Sequence, residues 1–547
     1  MAAESPVEGI KRASRLLRGT LVESLADAHT GGLREPDRQL IKFHGSYQQD
    51  DRDLREERER QKLEPAWSFM VRTRLPGGVC TPRQWLALAG LARRHGSGSL
   101  RLTTRQTVQL HGILKRDLKT TIAAMNAELV DSIAACGDVN RNVMASVNPV
   151  ESALHAQVHE WARSLSEHLR PRTRAYHEIW LDGEKVEGTP EAEPLYGPTY
   201  LPRKFKVGIV VPPHNDIDVF SQDVGFIAIV EAGRLTGFNL VAGGGLGMTH
   251  GEPATFPRLA DLIGFLEPGR LHEVSEAVLA IQRDHGDRSD RKHARLKYTI
   301  ADRGLDWFRA ELAARLGGPL ASPRPFLLTS QGDRFGWIEG VDGRRHLTLR
   351  IESGRVAGAH LTGLERIAAI HTGDFRFTPN QNLVIAGVPE EAVAQIDRLV
   401  AEHGLGEALA GTPLRRDALA CVALPTCPLA MAEAERYLPT ILALIERLLV
   451  KHGLERQPLS LRLTGCPNGC ARPYLAEIGL IGRAPGRYVL RLGGDASGQR
   501  LNVIYRDNID EAAILEILDG LLGRYQAQRQ PAERFGDFLW RAGVLAA

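Results

Sequence analysis

Long hydrophobic runs are missing from this chain. No stretch approaches the roughly 18 apolar residues that span a bilayer, and the best candidate, 441–450, is broken by charge. No membrane role is expected. The opening MAAESPVEGIKR has no apolar core and reads as no secretory signal. Net charge is nearly absent too, at +3, so nucleic acid is not an expected partner. Cysteine is scarce, six in 547 residues, far below the density of a disulfide scaffold. A cytoplasmic, reducing setting follows, in which thiols stay free or hold metal. Dinucleotide motifs are lacking as well. The glycine-rich run 242–247 fails G-x-G-x-x-G because His250 takes the last place, and it reads as a structural loop. No nicotinamide site, flavin domain or extra ferredoxin-like cysteine set is recognisable, so any redox role needs electrons from another protein.

The few cysteines are not scattered. Cys80 and Cys136 stand alone and read as buried structural thiols. The other four form two pairs, Cys421-x5-Cys427 and Cys466-x3-Cys470, the second inside Thr-Gly-Cys-Pro-Asn-Gly-Cys-Ala-Arg at 464–472. Prolines 425, 428 and 467 and the Asn468-Gly469 step put both pairs on turns. Turns free backbone N–H groups that can hydrogen-bond sulfur. Four thiolates suit a 4Fe-4S cluster or a zinc ion, and structural zinc favours C-x2-C pairs, which neither pair is. Unliganded thiols are the third reading. A helix over 432–452 is expected between the pairs.

The chain is too long for one core. Residues 1–62 are highly charged and read as a solvated arm, with partner docking as the alternative. From about 64 onward strands alternate with helices: strands near 68–75 and 100–113, helices near 81–95 and 118–130. An internal repeat aligns Arg101, Thr103, Gln106 and Gly112 with Arg376, Thr378, Gln381 and Gly387 at equal offsets, and a weaker echo pairs 238–245 with 488–494. The expected fold is α+β, a duplicated unit whose two copies face a shared cleft. Only the second copy carries the cysteine pairs.

Longer motifs add a family. The segments 43–53 (FHGSYQQDDRD), 101–107 (RLTTRQT), 140–143 (NRNV), 200–206 (YLPRKFK), 427–436 (CPLAMAEAER) and 464–470 (TGCPNGC) resemble the siroheme-containing sulfite and nitrite reductases over nearly the whole chain. The resemblance implies duplicated ferredoxin-like and siroheme-binding α/β units with pseudo-twofold symmetry around a central cofactor cleft. The implied organisation is an arm (1–62), a ferredoxin-like half-domain (63–135), a reductase repeat with substrate-side cations (136–322), a second half-domain (323–405) and a second repeat with the cluster ligands (406–547). It implies that Cys421, Cys427, Cys466 and Cys470 hold a 4Fe-4S cluster and that Cys470 also bridges to the siroheme iron. Arg72, Arg141, Lys204 and Lys206 match the family's substrate-facing cations. Arg101, Thr103, Arg105, Gln109 and His111 match residues along the siroheme rim, and Gln381 is a further macrocycle contact. On a strand Arg72/Arg74, Arg101/Thr103/Arg105 and Lys204/Lys206 each share one face; without the family, a solvated face is the commoner reading. The implied reaction is six-electron reduction of sulfite to sulfide, with nitrite to ammonium as the alternative. The implied electron donor is an NADPH-oxidising flavoprotein carrying FAD and FMN, or else a ferredoxin. A non-catalytic four-cysteine zinc module is the third possibility.

Overall fold

The computed structural model describes residues 4–147, 153–173, 180–181, 184–185 and 193–546. Four five-stranded sheets dominate it and form two matched pairs. One antiparallel sheet runs Ser46–Asp50, Trp67–Arg72, Val108–Ile113, Ser99–Leu102, Arg355–Ala357. Its mate runs Gly336–Glu339, Arg345–Leu349, Leu383–Val388, Asp374–Phe377, Val79–Cys80. The last strand of each is lent by the other half: Arg355 and Ala357 pair with Arg101 and Ser99, while Val79 and Cys80 pair with Arg376 and Phe375. This reciprocal exchange ties the two halves into one body. Consistently, a single apolar cluster extends from Leu17 to Leu405, and a second covers Leu414 to Leu545.

The other two sheets share a topology. Met144–Ala145, Val207–Val210 and Val224–Glu231 are parallel, followed by antiparallel Arg234–Ala242 and Asp261–Leu266. Leu419–Ala420, Leu461–Thr464 and Ile478–Ala484 repeat the parallel part, and Arg487–Leu492 and Val503–Ile509 the antiparallel part. The parallel strands Val207–Val210 and Leu461–Thr464 are buried along their whole length, as sheets covered on both faces require. The 238–245 and 488–494 echo falls on equivalent strands.

The stronger repeat is reproduced in backbone detail. Gln106 and Gln381 both take left-handed φ, 54° and 66°, and Gly112 and Gly387 both have φ 77°. A non-glycine residue held there needs compensation. Gln106 Nε2 donates to Ala145 O at 2.8 Å and Gln381 Nε2 to Ser353 O at 3.3 Å, so each amide fastens its own strained turn.

Several boundaries differ from the sequence expectation. The 100–113 stretch is two strands around that turn. The cysteine-flanked helix is Leu438–Lys451, not 432–452. Pro439 sets its first turn, where proline's missing N–H costs nothing, and Met431 and Ala432 donate instead to Gly465 O at 2.7 and 3.1 Å. The region before 62 is solvated only at its end, the helix Arg55–Arg60. Its earlier part folds onto the body. Ser46–Asp50 is an edge strand, and in the helix Pro6–Ala13 the side chain of Lys11 is fully buried, ion-paired with Glu8 and donating to Leu201 O at 2.8 Å. Among the described residues no helix is long and apolar enough to cross a membrane.

Candidate active site

The second parallel sheet builds a thiol platform. Cys421 follows strand Leu419–Ala420, and Cys466 and Cys470 follow its parallel neighbour Leu461–Thr464. Parallel strands end on the same side, so residues far apart in sequence emerge together. Gly465 N–H donates to Cys421 Sγ at 3.3 Å. The Cys427 turn closes through its N–H to Ala423 O at 2.9 Å, and Arg52 Nη1 clamps it through Cys427 O (3.2 Å) and Ala430 O (2.7 Å). Burial pushes the thiols of Cys421 and Cys427 up and that of Cys466 to about 12, and the neighbouring thiols push them further. Those three thiols ionise readily only when a cationic metal replaces their protons. Among the described residues no three His, Cys, Asp or Glu side chains converge on one ion.

Cys470 is exposed and lines a cleft of about 750 Å³ together with Arg105, Arg203, Lys204, Lys206, Arg295 and Arg472. The cleft is short of negative charge. Burial and then neighbouring cations lower Lys204 to about 7 and Arg105 to about 9, and they hold Lys206 well below the usual lysine range. Arg295 is held by Asp223 at 2.7 Å, and Arg105 by Gln222 at 2.9 Å. Arg105 Nε is buried without a hydrogen-bond partner. A cationic wall in which Arg105, Lys204 and Lys206 have no ion pair among the described residues fits a polycarboxylate macrocycle and an oxyanion substrate, and the adjoining thiols fit a polynuclear iron–sulfur cluster.

The remaining sequence candidates lie around this cleft. Arg72 faces Gln109 across the sheet and places Nη1 3.3 Å from Cys136 Sγ. Arg141 donates to Gly137 O and Ala135 O at 2.9 and 3.2 Å. Neither is in the wall of the cleft, yet the charge of Arg141 acts on Lys204, and both act on Arg105. Arg101 is buried, ion-paired with Glu435 and donating to Ala420 O at 3.0 Å beside the thiols. Burial and Arg355 bring it down to about 9. Thr103 Oγ1 accepts from the N–H groups of Arg105 and Thr107 at 3.3 Å and shapes the turn. His111 sits between Gln49 and Gln109, at 3.2 and 3.4 Å. Burial, then Arg355, Arg101 and Arg72, keep it neutral. Gln381 holds the second-copy turn.

Sequence reading passed over Arg295 and Arg472 and took the glycine run for a structural loop with no part in the site. Leu246 and Gly247 belong to the cleft wall, and Lys297 donates to Gly245 O and Gly247 O at 2.9 and 2.8 Å. A Cβ on Gly244 would lie 2.2 Å from Phe220 O, so glycine is required for close approach. Arg472 ends the second cysteine motif and was visible there. Arg295 had no local signal.

Comparison with known proteins gives matches over nearly the whole chain. The model described as nitrite and sulphite reductase 4Fe-4S domain matches residues 160–320. The nitrite/sulfite reductase ferredoxin-like half domain matches twice, at 64–128 and 338–403. The sulfite reductase (NADPH) hemoprotein beta-component of Myxococcus xanthus is 63% identical, over 98% of this chain and 96% of its own length. Its namesake in Xanthomonas campestris pv. campestris is 59% identical, over 99% and 96%. The NirA protein of Mycobacterium tuberculosis superposes with a TM-score of 0.79 at 25% identity, covering 97% of this chain and 95% of that one.

Proposed function

The chain belongs to the nitrite and sulfite reductase family, and on that premise we propose that it reduces sulfite to sulfide as the hemoprotein component of a two-protein NADPH system. One observation carries the reading: Cys470 belongs to the thiol quartet and also lines the cation-rich cleft. A single sulfur there can serve both a 4Fe-4S cluster on the platform and a siroheme in the cleft. When bound, the two groups supply the electrons and the iron that takes the sulfur atom of the substrate.

The side chains do the rest. Lys204 and Lys206, neither ion-paired among the described residues, offer mobile ammonium donors to the oxygens of sulfite, and Arg105 and Arg295 add fixed guanidinium charge. Arg141 acts from behind by lowering the proton affinity of Lys204 and Arg105, and Arg72 by lowering that of Arg105. Sulfite, six electrons and seven protons give hydrosulfide and three waters. A lysine whose proton is held near neutrality suits the repeated proton delivery that makes water the leaving group. Gln381 and His111 support the macrocycle rim through the turn and strand they fix.

Electrons come from outside. The names of the relatives print NADPH and a beta-component; a flavoprotein that oxidises NADPH is the donor inferred for this chain, with a ferredoxin as the other. The solvated helix Arg55–Arg60 adjoins Arg52, whose side chain braces the Cys427 turn, and it offers that partner a charged approach to the cluster. Nitrite reduction is the second reading, because the matching family description names both substrates. Turnover of purified holoenzyme with reduced methyl viologen decides between them. Sulfide formation with kcat/KM for sulfite above that for nitrite is expected; the reverse order reassigns the substrate.

A further inference from the structure

A second cleft, of about 840 Å³, lies on the other side of the repeat and includes Asn380, Arg416, Asp417, Ser460 and Arg462. The alignment that pairs Arg101 with Arg376 puts Asn380 in the place of Arg105. Ser460 precedes strand Leu461–Thr464 as Lys206 precedes Val207–Val210. This cleft is therefore the pseudo-twofold mate of the catalytic one, with the lysines and the thiol replaced.

It has kept a cationic lining. Four guanidinium groups, Arg334, Arg416, Arg462 and Arg534, face two carboxyl groups, Asp333 and Asp417. The Asp333 carboxyl is committed to neutral donors. Asp333 accepts from Thr378, Asn380 and Asn382 at 2.6–2.9 Å. Burial pushes Asp417 up to about 6 against the pull of Arg534 and Arg416, so its charge begins to be lost just below neutrality. Arg534 is committed to Glu477 at 2.5 Å. Arg416 is half-buried and has no ion pair among the described residues. Arg462 is 3% exposed, and its Nε–H has no partner, although its other nitrogens reach Asp218 (2.8 Å) and Gln331 (3.4 Å). A buried donor of that kind in a native fold needs a partner, and an anion in the adjoining cleft supplies one.

We propose that this mate cleft is a second oxyanion site, taking a small tetrahedral dianion of the sulfate or phosphate class between Arg416 and Arg462. Guanidinium groups match such oxygens in charge and geometry. The site is wired to the catalytic cleft. Arg462 and Arg472 share the Asp218 carboxylate, and Arg472 also donates to Asn380 Oδ1 at 2.8 Å while lining the catalytic wall. An anion on Arg462 competes with Asp218 and strengthens the hold of that carboxylate on Arg472. The duplication has thus left a sensor for the class of anion the enzyme handles.

The test is anomalous diffraction from holoenzyme crystals soaked in selenate, for the wild type and for Arg416→Gln. The expected result is a selenium peak between Arg416 and Arg462 in the wild type. In Arg416→Gln that peak is lost while the peak in the catalytic cleft persists, which also controls for folding. No wild-type peak in the mate cleft, or an equal peak in Arg416→Gln, overturns the proposal. A peak that appears only at crystal-soak concentrations, with no second sulfate bound in equilibrium dialysis of the holoenzyme, overturns it as well.

Discussion

Lys204 is lowered to about 7 by burial first and then by Arg203, Arg295 and Arg141. An anion bound beside it favours the charged form, so binding takes up a proton above that pH and affinity falls as pH rises. Sulfate keeps one charge state across the range and is the clean probe. Its inhibition constant against sulfite should be flat below pH ~7 and rise by up to about tenfold per pH unit above it. Lys204→Met should flatten the rise; an unchanged profile in that variant would remove Lys204 from the anion site. Cys470 makes a different prediction, because one sulfur is assigned to two groups. Cys470→Ser should lose both the chlorin absorption bands and the cluster signal in electron paramagnetic resonance. Normal intensity in both would refute the shared ligand. The quartet was legible because its four thiols sit in two short motifs. Arg295 was not, since it reaches the cleft only through tertiary packing on Asp223.

The elements around the cleft are held by buried charge. Asp138 lies under the N-terminal helix Pro6–Ala13, 2.5 Å from Arg291 and 3.8 Å from Lys11. Burial pushes its carboxyl up, but Arg291, Lys11 and Arg203 outweigh that and hold it far below the carboxylate range. A depressed pKa contributes stability that is fully present above the unfolded value near ~4 and is lost as pH falls through the folded value. Asp138→Asn should therefore cost about 3–5 kcal/mol at neutral pH, with the gap to wild type narrowing in acid. Urea unfolding followed at both pH values checks it; an equal gap throughout would mean that packing, not charge, is at stake. This clamp was hidden from sequence reading, which took Lys11 and Glu8 for part of a solvated arm. Charge in a sequence marks a surface only when no partner waits in the fold. The repeat was visible because its turns demand the same residues at the same offsets. The exchanged strands Val79–Cys80 and Arg355–Ala357 were not, because two or three residues carry no periodicity.

At the scale of the molecule, duplication has produced two clefts and left thiols beside only one. The proposed division of labour leaves electron supply to a partner protein. Purified holoenzyme should leave NADPH unconsumed until a diflavin reductase is added, whereas reduced methyl viologen should drive it alone. NADPH oxidation coupled to sulfide by this chain unaided would contradict that division. The placement of both prosthetic groups in the thiol-and-cation cleft has its most direct test in metal analysis combined with the visible spectrum of the as-purified protein. Iron sufficient for one cube and one macrocycle per chain, with chlorin bands, is the expected result. Stoichiometric zinc in a colourless sample would contradict it.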